Sequence, residues 1–198
     1  MKKGNIKKLT LAFAFLIISF GIELYLASNT DKFYPNLTIT PDFILNHTPY
    51  LNVLWFADAI VLLAIASFLI FIFSEKKWKE IPFYAMILGI YALLRATLSY
   101  INPLGNPAPN PGGLGLPFLP NGGMFPSGHV GTIFLFFLLS KNKSKRWCIY
   151  FLGLLITEII IMILSKGHYT IDIVGAFFIA YTLWKVGEEH FRKKLILK

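Results

Sequence analysis

The stretch "NVLWFADAIVLLAIASFLIFIF", residues 52–73, carries a single charged side chain, Asp58. About 20 consecutive apolar residues in a helix are enough to cross the hydrocarbon core of a bilayer. Hydrophobic residues make up 56% of the 198-residue chain, whereas a soluble domain has about 45–50%. Because a single soluble core of this size cannot bury so many apolar side chains, the sequence predicts an integral membrane protein.

Further apolar runs extend this prediction along the chain. Six candidate spans are found, at residues 9–28, 52–73, 81–101, 127–140, 147–165 and 168–186. The fourth run is short for a span, so we expect it to begin earlier or to tilt. The first run also has the basic start of a cleaved signal peptide, although its length and Glu23 favour a retained span. The predicted fold is all-α, a six-helix membrane bundle formed by one domain over residues 1–198.

The basic residues predict the orientation of this bundle. Most of the 19 lysines and arginines lie in four blocks, at residues 2–8, 76–79, 141–146 and 185–198. Two apolar runs separate each block from the next, so all four blocks fall on one side, and the positive-inside rule places both termini in the cytoplasm. The net charge of +9 forms no continuous basic face, which argues against nucleic-acid binding. Cys148 is the only cysteine, so an internal disulfide is excluded.

The outer loop at residues 102–126, "NPLGNPAPNPGGLGLPFLPNGGMFP", is rich in proline and glycine and has no charged residue. Proline and glycine at this density preclude a helix or a regular strand. The apolar residues Leu114, Leu116, Phe118 and Leu119 predict a loop that lies in the lipid headgroup region.

Polar residues cluster at the outer ends of three predicted spans. His168 and Asp172 in "SKGHYTIDIVGAFF" are four residues apart, so on a helix they would share one face. Asp172 would then accept a hydrogen bond from one ring nitrogen of His168, which leaves the other nitrogen free as a nucleophile or base.

A second histidine and an arginine are expected at the same outer end. His129 lies in "FPSGHVGT", where Pro126 and Ser127 are typical of a helix start, and the N–H groups of a helix start bind phosphate well. Arg95 lies about 9 Å below the outer end of the third span, at 1.5 Å per residue. Arginine in hydrocarbon needs a partner, and a phosphate group is one such partner.

These motifs resemble a known enzyme family. "FPSGHVG" followed by "HYTIDIVGAFF" resembles the type 2 phosphatidic acid phosphatase superfamily, and its sphingomyelin synthase-like branch more closely. "LLRATLSYINPLGNPAP" is similar to the arginine-containing segment of that branch. The resemblance spans residues 95–184. It implies a lipid phosphatase or phosphotransferase of the cell membrane that acts on membrane lipids, with an outward-facing site and neither a cofactor nor a metal.

The resemblance also implies a role for each motif residue. His168 would attack phosphorus and form a phosphohistidine, Asp172 would orient it, and His129 would protonate the leaving group. The phosphoryl oxygens would be stabilised by Arg95 and by backbone N–H groups near Ser127 and Gly128.

The chain also departs from the phosphatase pattern. Leu88 and Ala96 stand where that pattern has a lysine and a proline, and Ile161 and Met162 stand where it has a serine and an arginine. Two phosphate-binding cations are thus absent, and Lys166 is a possible substitute for one of them. The losses agree better with the sphingomyelin synthase-like branch, and the acceptor, water or a lipid alcohol, stays open together with the oligomeric state.

Other functions remain to be weighed. Two histidines and an aspartate also suit a metal site, although a further carboxylate or cysteine ligand is not found near them in the sequence. An intramembrane serine protease would need Gly-x-Ser-Gly, and position 125 is Phe. A transporter path or a channel would account for the remaining intramembrane carboxylates, Glu23, Asp58 and Glu158. Of these, Asp58 is expected to lie near enough to pair with Arg95.

Overall fold

A computed structural model describes residues 3–109 and 125–197, and its regular elements are all helices. They are α1 (Lys3–Phe33), α2 (Phe43–Asn46), α3 (Leu54–Ser74), α4 (Ile81–Ile101), α5 (Gly128–Ser140), α6 (Lys145–Leu164), α7 (Thr170–Val186) and α8 (Arg192–Leu195). A 3₁₀ turn at Trp78–Glu80 leads into α4, and a π-helical turn at Gly187–Phe191 joins α7 to α8. The all-α prediction is confirmed for these residues.

Five helical segments are long and apolar enough to cross a membrane. They are Gly4–Thr30, Leu54–Ser74, Trp78–Ile101, Lys145–Leu164 and Thr170–Leu195. These segments are consistent with a multi-pass membrane protein. The number of crossings and the side on which each terminus lies stay predictions.

Helix α5 is apolar but shorter than these five segments. It has 13 residues, which is about 20 Å of helix, less than the roughly 30 Å of a bilayer core. Of the two alternatives for this run, an earlier start is wrong, because Ser127 caps the helix at its N-terminal end, and a tilt stays a prediction.

Helices α3, α4, α5, α6 and α7 together form the core, which is aromatic at its centre. Phe68 of α3 stacks on Phe136 of α5 with ring centroids 4.2 Å apart, and Phe151 of α6 packs edge-on against Phe68. The fully buried apolar residues of α7 are small, Ala176 and Ala180, which lets this helix approach α5 closely. Large apolar side chains elsewhere on these helices are exposed, as expected of a surface that lipid covers.

Helix α1 lies outside this core and packs mainly along α4. The contact is close at Gly89, where an added Cβ atom would lie 2.8 Å from the Phe15 ring. Ser19 and Ala12 are buried in the same contact. Small residues at the crossing therefore bring the two helices together, as is common in membranes.

The chain between α1 and α3 and the chain after α4 are both joined to the start of α7. Asp42 accepts hydrogen bonds from the backbone N–H of Thr170 at 2.7 Å and from its hydroxyl at 3.0 Å. The Tyr169 hydroxyl donates to the Gly105 carbonyl at 3.0 Å and accepts from the Thr40 N–H at 3.2 Å. These bonds fix Tyr169 and Thr170, the two residues that follow His168.

The predicted absence of regular structure in the proline-rich loop is confirmed for residues 103–109, which form neither helix nor extended strand. The apolar residues on which the headgroup-region prediction depends, at positions 114–119, lie outside the described residues.

Candidate active site

Two histidines from different parts of the chain meet at one end of the bundle. His129 lies in the first turn of α5, and His168 lies two residues before α7. Their ring centroids are 6.1 Å apart. His168 is buried, and the His129 side chain is 17% exposed. The two imidazoles are therefore close enough to act on opposite sides of one small group.

The predicted bond between His168 and Asp172 is present. Nδ1 of His168 lies 3.2 Å from Oδ2 of Asp172. The expectation that the pair shares a helical face is wrong, because α7 begins only at Thr170. Asp172 occupies the third helical position instead, and its Oδ2 also accepts the Tyr169 N–H at 3.0 Å. One carboxylate thus caps the helix and orients the imidazole, and Nε2 of His168 has no partner among the described residues.

His129 has a carboxylate of its own, which sequence reasoning did not assign to it. Nε2 of His129 lies 2.9 Å from Oδ1 of Asp58 on α3, and Asp58 is buried. The possible pair of Asp58 with Arg95 is not formed as an ion pair, because the ion-pair partner of Arg95 is Glu23. The available signal was a carboxylate near the outer end of an apolar run, which announces a polar partner but does not identify it.

Arg95 is held from three sides. Its Nη1 forms an ion pair with Glu23 of α1, and its Nε donates to the Pro126 carbonyl at 3.2 Å. A Cβ atom added at Gly128 would lie 2.7 Å from Nε, so the guanidinium lies against the Gly128 backbone. This close approach leaves no room for a side chain at Gly128, and it places the arginine next to the start of α5, one residue before His129.

The start of α5 is fixed by hydrogen bonds to two other helices. The Ser127 hydroxyl caps the first turn at 3.3 Å, which confirms the predicted helix start. The Ser127 N–H donates to the Asp172 carbonyl at 3.1 Å, and the Tyr91 hydroxyl donates to the Ser127 carbonyl at 2.8 Å. The Ser127 N–H is therefore occupied, and Gly128 and His129 supply the first-turn N–H groups without a partner among the described residues.

A second glycine makes the Tyr91 bond possible. A Cβ atom at Gly131 would lie 1.7 Å from the Tyr91 hydroxyl, so a larger residue there would displace the tyrosine. The Tyr91 side chain is buried between α4 and α5. The third glycine-dependent contact of this region lies at Gly175, where the Phe125 ring packs.

The structure also places the residues at the positions of the absent cations, the possible substitute Lys166, and Glu158. Ile161 and Met162, which stand where the phosphatase pattern has a serine and an arginine, are buried in the core on α6. Lys166 lies in the turn between α6 and α7 with a φ of 51°. Both carboxylate oxygens of Glu158 are buried without a hydrogen-bond partner in the described part of the chain, and nothing in the structure explains them.

The arrangement is suited to reaction at a phosphate ester. It offers two imidazoles, each oriented by a carboxylate, beside an arginine and two free backbone N–H groups. A guanidinium has five N–H donors, and two of those on Arg95 are engaged, so three have no partner within residues 3–109 and 125–197. Within residues 3–109 and 125–197, no three potential metal ligands from histidine, cysteine, aspartate and glutamate lie close enough to hold a metal ion.

Comparison with known proteins gives one result. Residues 122–189 match the family described as PAP2 superfamily C-terminal, which covers about a third of the chain. No curated protein and no solved structure matches. The match contains both histidines and Asp172, whereas Asp58 and Arg95 lie outside it. It supports the PAP2 superfamily and suggests a phosphatase-type function.

Proposed function

We propose that this protein is a membrane lipid phosphatase or phosphotransferase that cleaves a lipid phosphoester through a phosphohistidine intermediate. The observation that carries the proposal is the convergence of the His168–Asp172 pair on His129. The family match over residues 122–189 supports the reaction class.

In the first step, His168 is the nucleophile. Its Nδ1–H donates to Asp172, so the lone pair lies on Nε2, which has no partner among the described residues. Nε2 attacks phosphorus, the phosphorus–oxygen bond to the leaving group breaks, and a phosphohistidine forms. Asp172 holds the tautomer and stabilises the charge that develops on the imidazole.

His129 is the general acid of this step. Its Nε2 faces Asp58 at 2.9 Å, so Nδ1 is the nitrogen left to donate a proton to the leaving oxygen. In the second step the same nitrogen takes a proton from the acceptor hydroxyl, the acceptor oxygen bonds to phosphorus, and the phosphorus–nitrogen bond to His168 breaks. Asp58 acts as a positioning residue for His129, as Asp172 does for His168.

Arg95 and the first turn of α5 bind the phosphoryl oxygens. The three remaining N–H donors of Arg95, together with those of Gly128 and His129, form an electrostatic site of the kind that often supplies the largest catalytic term. Ser127 contributes by fixing this turn, because its own N–H is bonded to Asp172.

Transfer to a lipid alcohol, as in the sphingomyelin synthase-like branch, is the second candidate function. The observation that favours it is charge. The phosphatase pattern has a cation at the positions of Leu88 and Met162, and this chain has an apolar residue at both. Arg95 is thus the one cation of that pattern that this sequence keeps. A phosphodiester carries one negative charge fewer than a phosphomonoester and suits such a site better, whereas hydrolysis is the common activity of the superfamily.

A lipid panel tests both functions. The purified protein is incubated with phospholipids and lipid phosphates, with and without ceramide or diacylglycerol, and free phosphate and new phospholipids are measured by mass spectrometry. We expect turnover that is lost in His168→Ala and kept in His190→Ala, the matched control at an exposed position. Headgroup on the added alcohol indicates transfer, free phosphate indicates hydrolysis, and no turnover of any lipid refutes the proposal.

The proposed site faces outward, which single cysteines can test in a Cys148→Ser background. A cysteine at the exposed position Asn46 should react with an impermeant thiol reagent on intact cells, and one at the exposed position Asn142 should react only after permeabilisation. Labelling in the reverse order would place the site in the cytoplasm.

A further inference from the structure

A small cleft lies between α1 and α4, and Glu23 and Arg95 line it. Thr30, Ser99 and Tyr100 line the same cleft. The ion pair between Glu23 and Arg95 leaves each side chain less than 15% exposed. Glu23 is thus the point at which the first helix reaches the group of residues around the two histidines.

The contacts of Arg95 divide between two neighbours. Glu23 takes Nη1, and the Pro126 carbonyl takes Nε. The Ser99 hydroxyl, one turn along α4, donates to the Phe125 carbonyl at 2.8 Å. The arginine therefore bridges α1 and the segment that leads into α5. Removal of Glu23 would leave its guanidinium anchored at Nε alone.

We propose that Glu23 is a positioning residue for Arg95, so that α1 is a functional part of the reaction site. This inference rests on the proposed function. An arginine side chain has many rotamers, and fixing it before substrate arrives lowers the entropy cost of binding the transition state. With Glu23 in place, the guanidinium is oriented and its three remaining N–H groups are available to a phosphoryl group.

A purely structural role for Glu23 makes a different prediction. If the carboxylate only balances the charge of an arginine in hydrocarbon, its loss lowers the yield or the thermal stability, and folded molecules keep their kcat. If it positions Arg95 for the transition state, kcat falls in folded molecules while KM changes little.

The experiment compares Glu23→Ala, Glu23→Gln and Glu23→Asp with Ser19→Ala, each purified as a monodisperse protein. Ser19 is buried one turn below on the same α1–α4 contact, and its hydroxyl donates to the Phe15 carbonyl at 2.7 Å. We expect kcat to fall roughly 10- to 100-fold in Glu23→Ala, the range that a 1 Å misplacement produces. Glu23→Asp should recover part of the loss, and Ser19→Ala should match the wild type.

A double variant tests whether Glu23 acts through Arg95. Glu23→Ala should cause no further loss in an Arg95→Ala background, because there is then nothing to position. Wild-type kcat in Glu23→Ala, with Arg95→Ala impaired, would overturn the inference and leave the proposed function standing. Intact mass of the purified protein gives a second check. If the first run were cleaved as a signal peptide, the protein would lack residues 1–28, and full activity of that species would also overturn the inference.

A binding measurement separates the two failures. If the wild type turns over no lipid, the proposed function fails, and orthovanadate binding is measured by thermal shift on the same variants. Weaker binding in Glu23→Ala and in Arg95→Ala, with no added loss in the double variant, would still support the pairing role. Additive losses, an unchanged affinity in Glu23→Ala, or no vanadate binding by the wild type would overturn it.

Discussion

The segment around α5 to α7 and the segment from α1 to α4 contribute to the candidate site in different ways. The first carries His129, His168 and Asp172 in short motifs, and Asp172 and His168 bond within one turn of chain. The second supplies Asp58 and Glu23, each of which reaches its partner from another helix. The two histidines thus lie in the part that matches a family, whereas Asp58, Glu23 and Arg95 lie outside it.

The largest effect is expected at the proposed nucleophile. His168→Ala removes Nε2, and without it no phosphohistidine forms, so turnover should fall by about 10⁴-fold or more, as when a member of a catalytic triad is removed. The measurement is product formation in the lipid assay, with His190→Ala as the control. Wild-type activity in purified His168→Ala would show that α5 to α7 do not carry the chemistry.

Arg95 is the residue where the two segments meet, and it should show the next largest effect. Arg95→Lys keeps a positive charge but loses the planar fork that contacts both Glu23 and the Pro126 carbonyl. We expect kcat/KM to fall about 100-fold, close to the loss in Arg95→Ala, by analogy with removal of one oxyanion donor. Recovery of most activity in the lysine variant would show that only charge matters here.

Asp58→Asn and Asp172→Asn compare the two orienting carboxylates directly. Both variants keep a side-chain oxygen, and both imidazoles remain. Asp172 bonds to the nucleophile and caps α7, so its loss should lower kcat more than the roughly tenfold loss expected for Asp58→Asn, given that general acid catalysis contributes about 10²–10⁴-fold in total.

The pH dependence of kcat is the second readout of this pair. Asp58→Asn should shift the limb of the profile that reports the general acid, because the ionic partner of His129 is removed. Equal activity of Asp58→Asn and wild type across the profile would mean that the contact at 2.9 Å is structural.

The sequence located the helices well because bilayer thickness fixes how long an apolar run must be. Five of the runs contain helices that end within a few residues of the predicted limits, and α5 begins at the predicted cap. The first run is longer in the structure than in the sequence, since α1 begins at Lys3 and ends at Phe33. Polar residues near both ends of a span dilute the hydropathy signal without breaking the helix.

The carboxylate partners were not predictable in the same way. A hydropathy run gives the depth of Glu23 and Asp58 but not the rotation of their helices, and rotation decides which cation or imidazole each one meets. Arg95 had two carboxylates at suitable depth, and the one on α1 is its partner. Local capping chemistry explains why His168 and Asp172 do not share a helical face. Asp172 accepts the Tyr169 N–H, so α7 begins only after His168.

The smallest effect is expected at Asp42, which lies between α1 and α3 and connects the two segments by its bonds to Thr170. Burial alone would raise the pKa of the Asp42 carboxyl, but hydrogen bonds from the Thr170 and Leu45 backbone and from the Thr170 hydroxyl outweigh it, so the pKa is lowered. A carboxyl whose pKa is lower in the folded state stabilises it above the unfolded pKa, near 4, and loses this contribution as the pH falls through the folded pKa. Asp42→Ala should cost about 1 kcal/mol at pH 7, the usual value of a helix cap, or a Tm decrease of about 2–4 °C.

Thermal unfolding in detergent at pH 7 and at pH 3 measures this contribution. The Tm difference between wild type and Asp42→Ala should shrink at the lower pH, where Asp42 loses its charge. Asp42→Asn, which keeps a capping oxygen, is the matched control and should lie between the two at pH 7. Because Asp42 bonds to α7 two residues after His168, turnover at pH 7 should fall only slightly. A Tm difference of the same size at both pH values would show that the carboxylate charge does not hold the outer loop to α7.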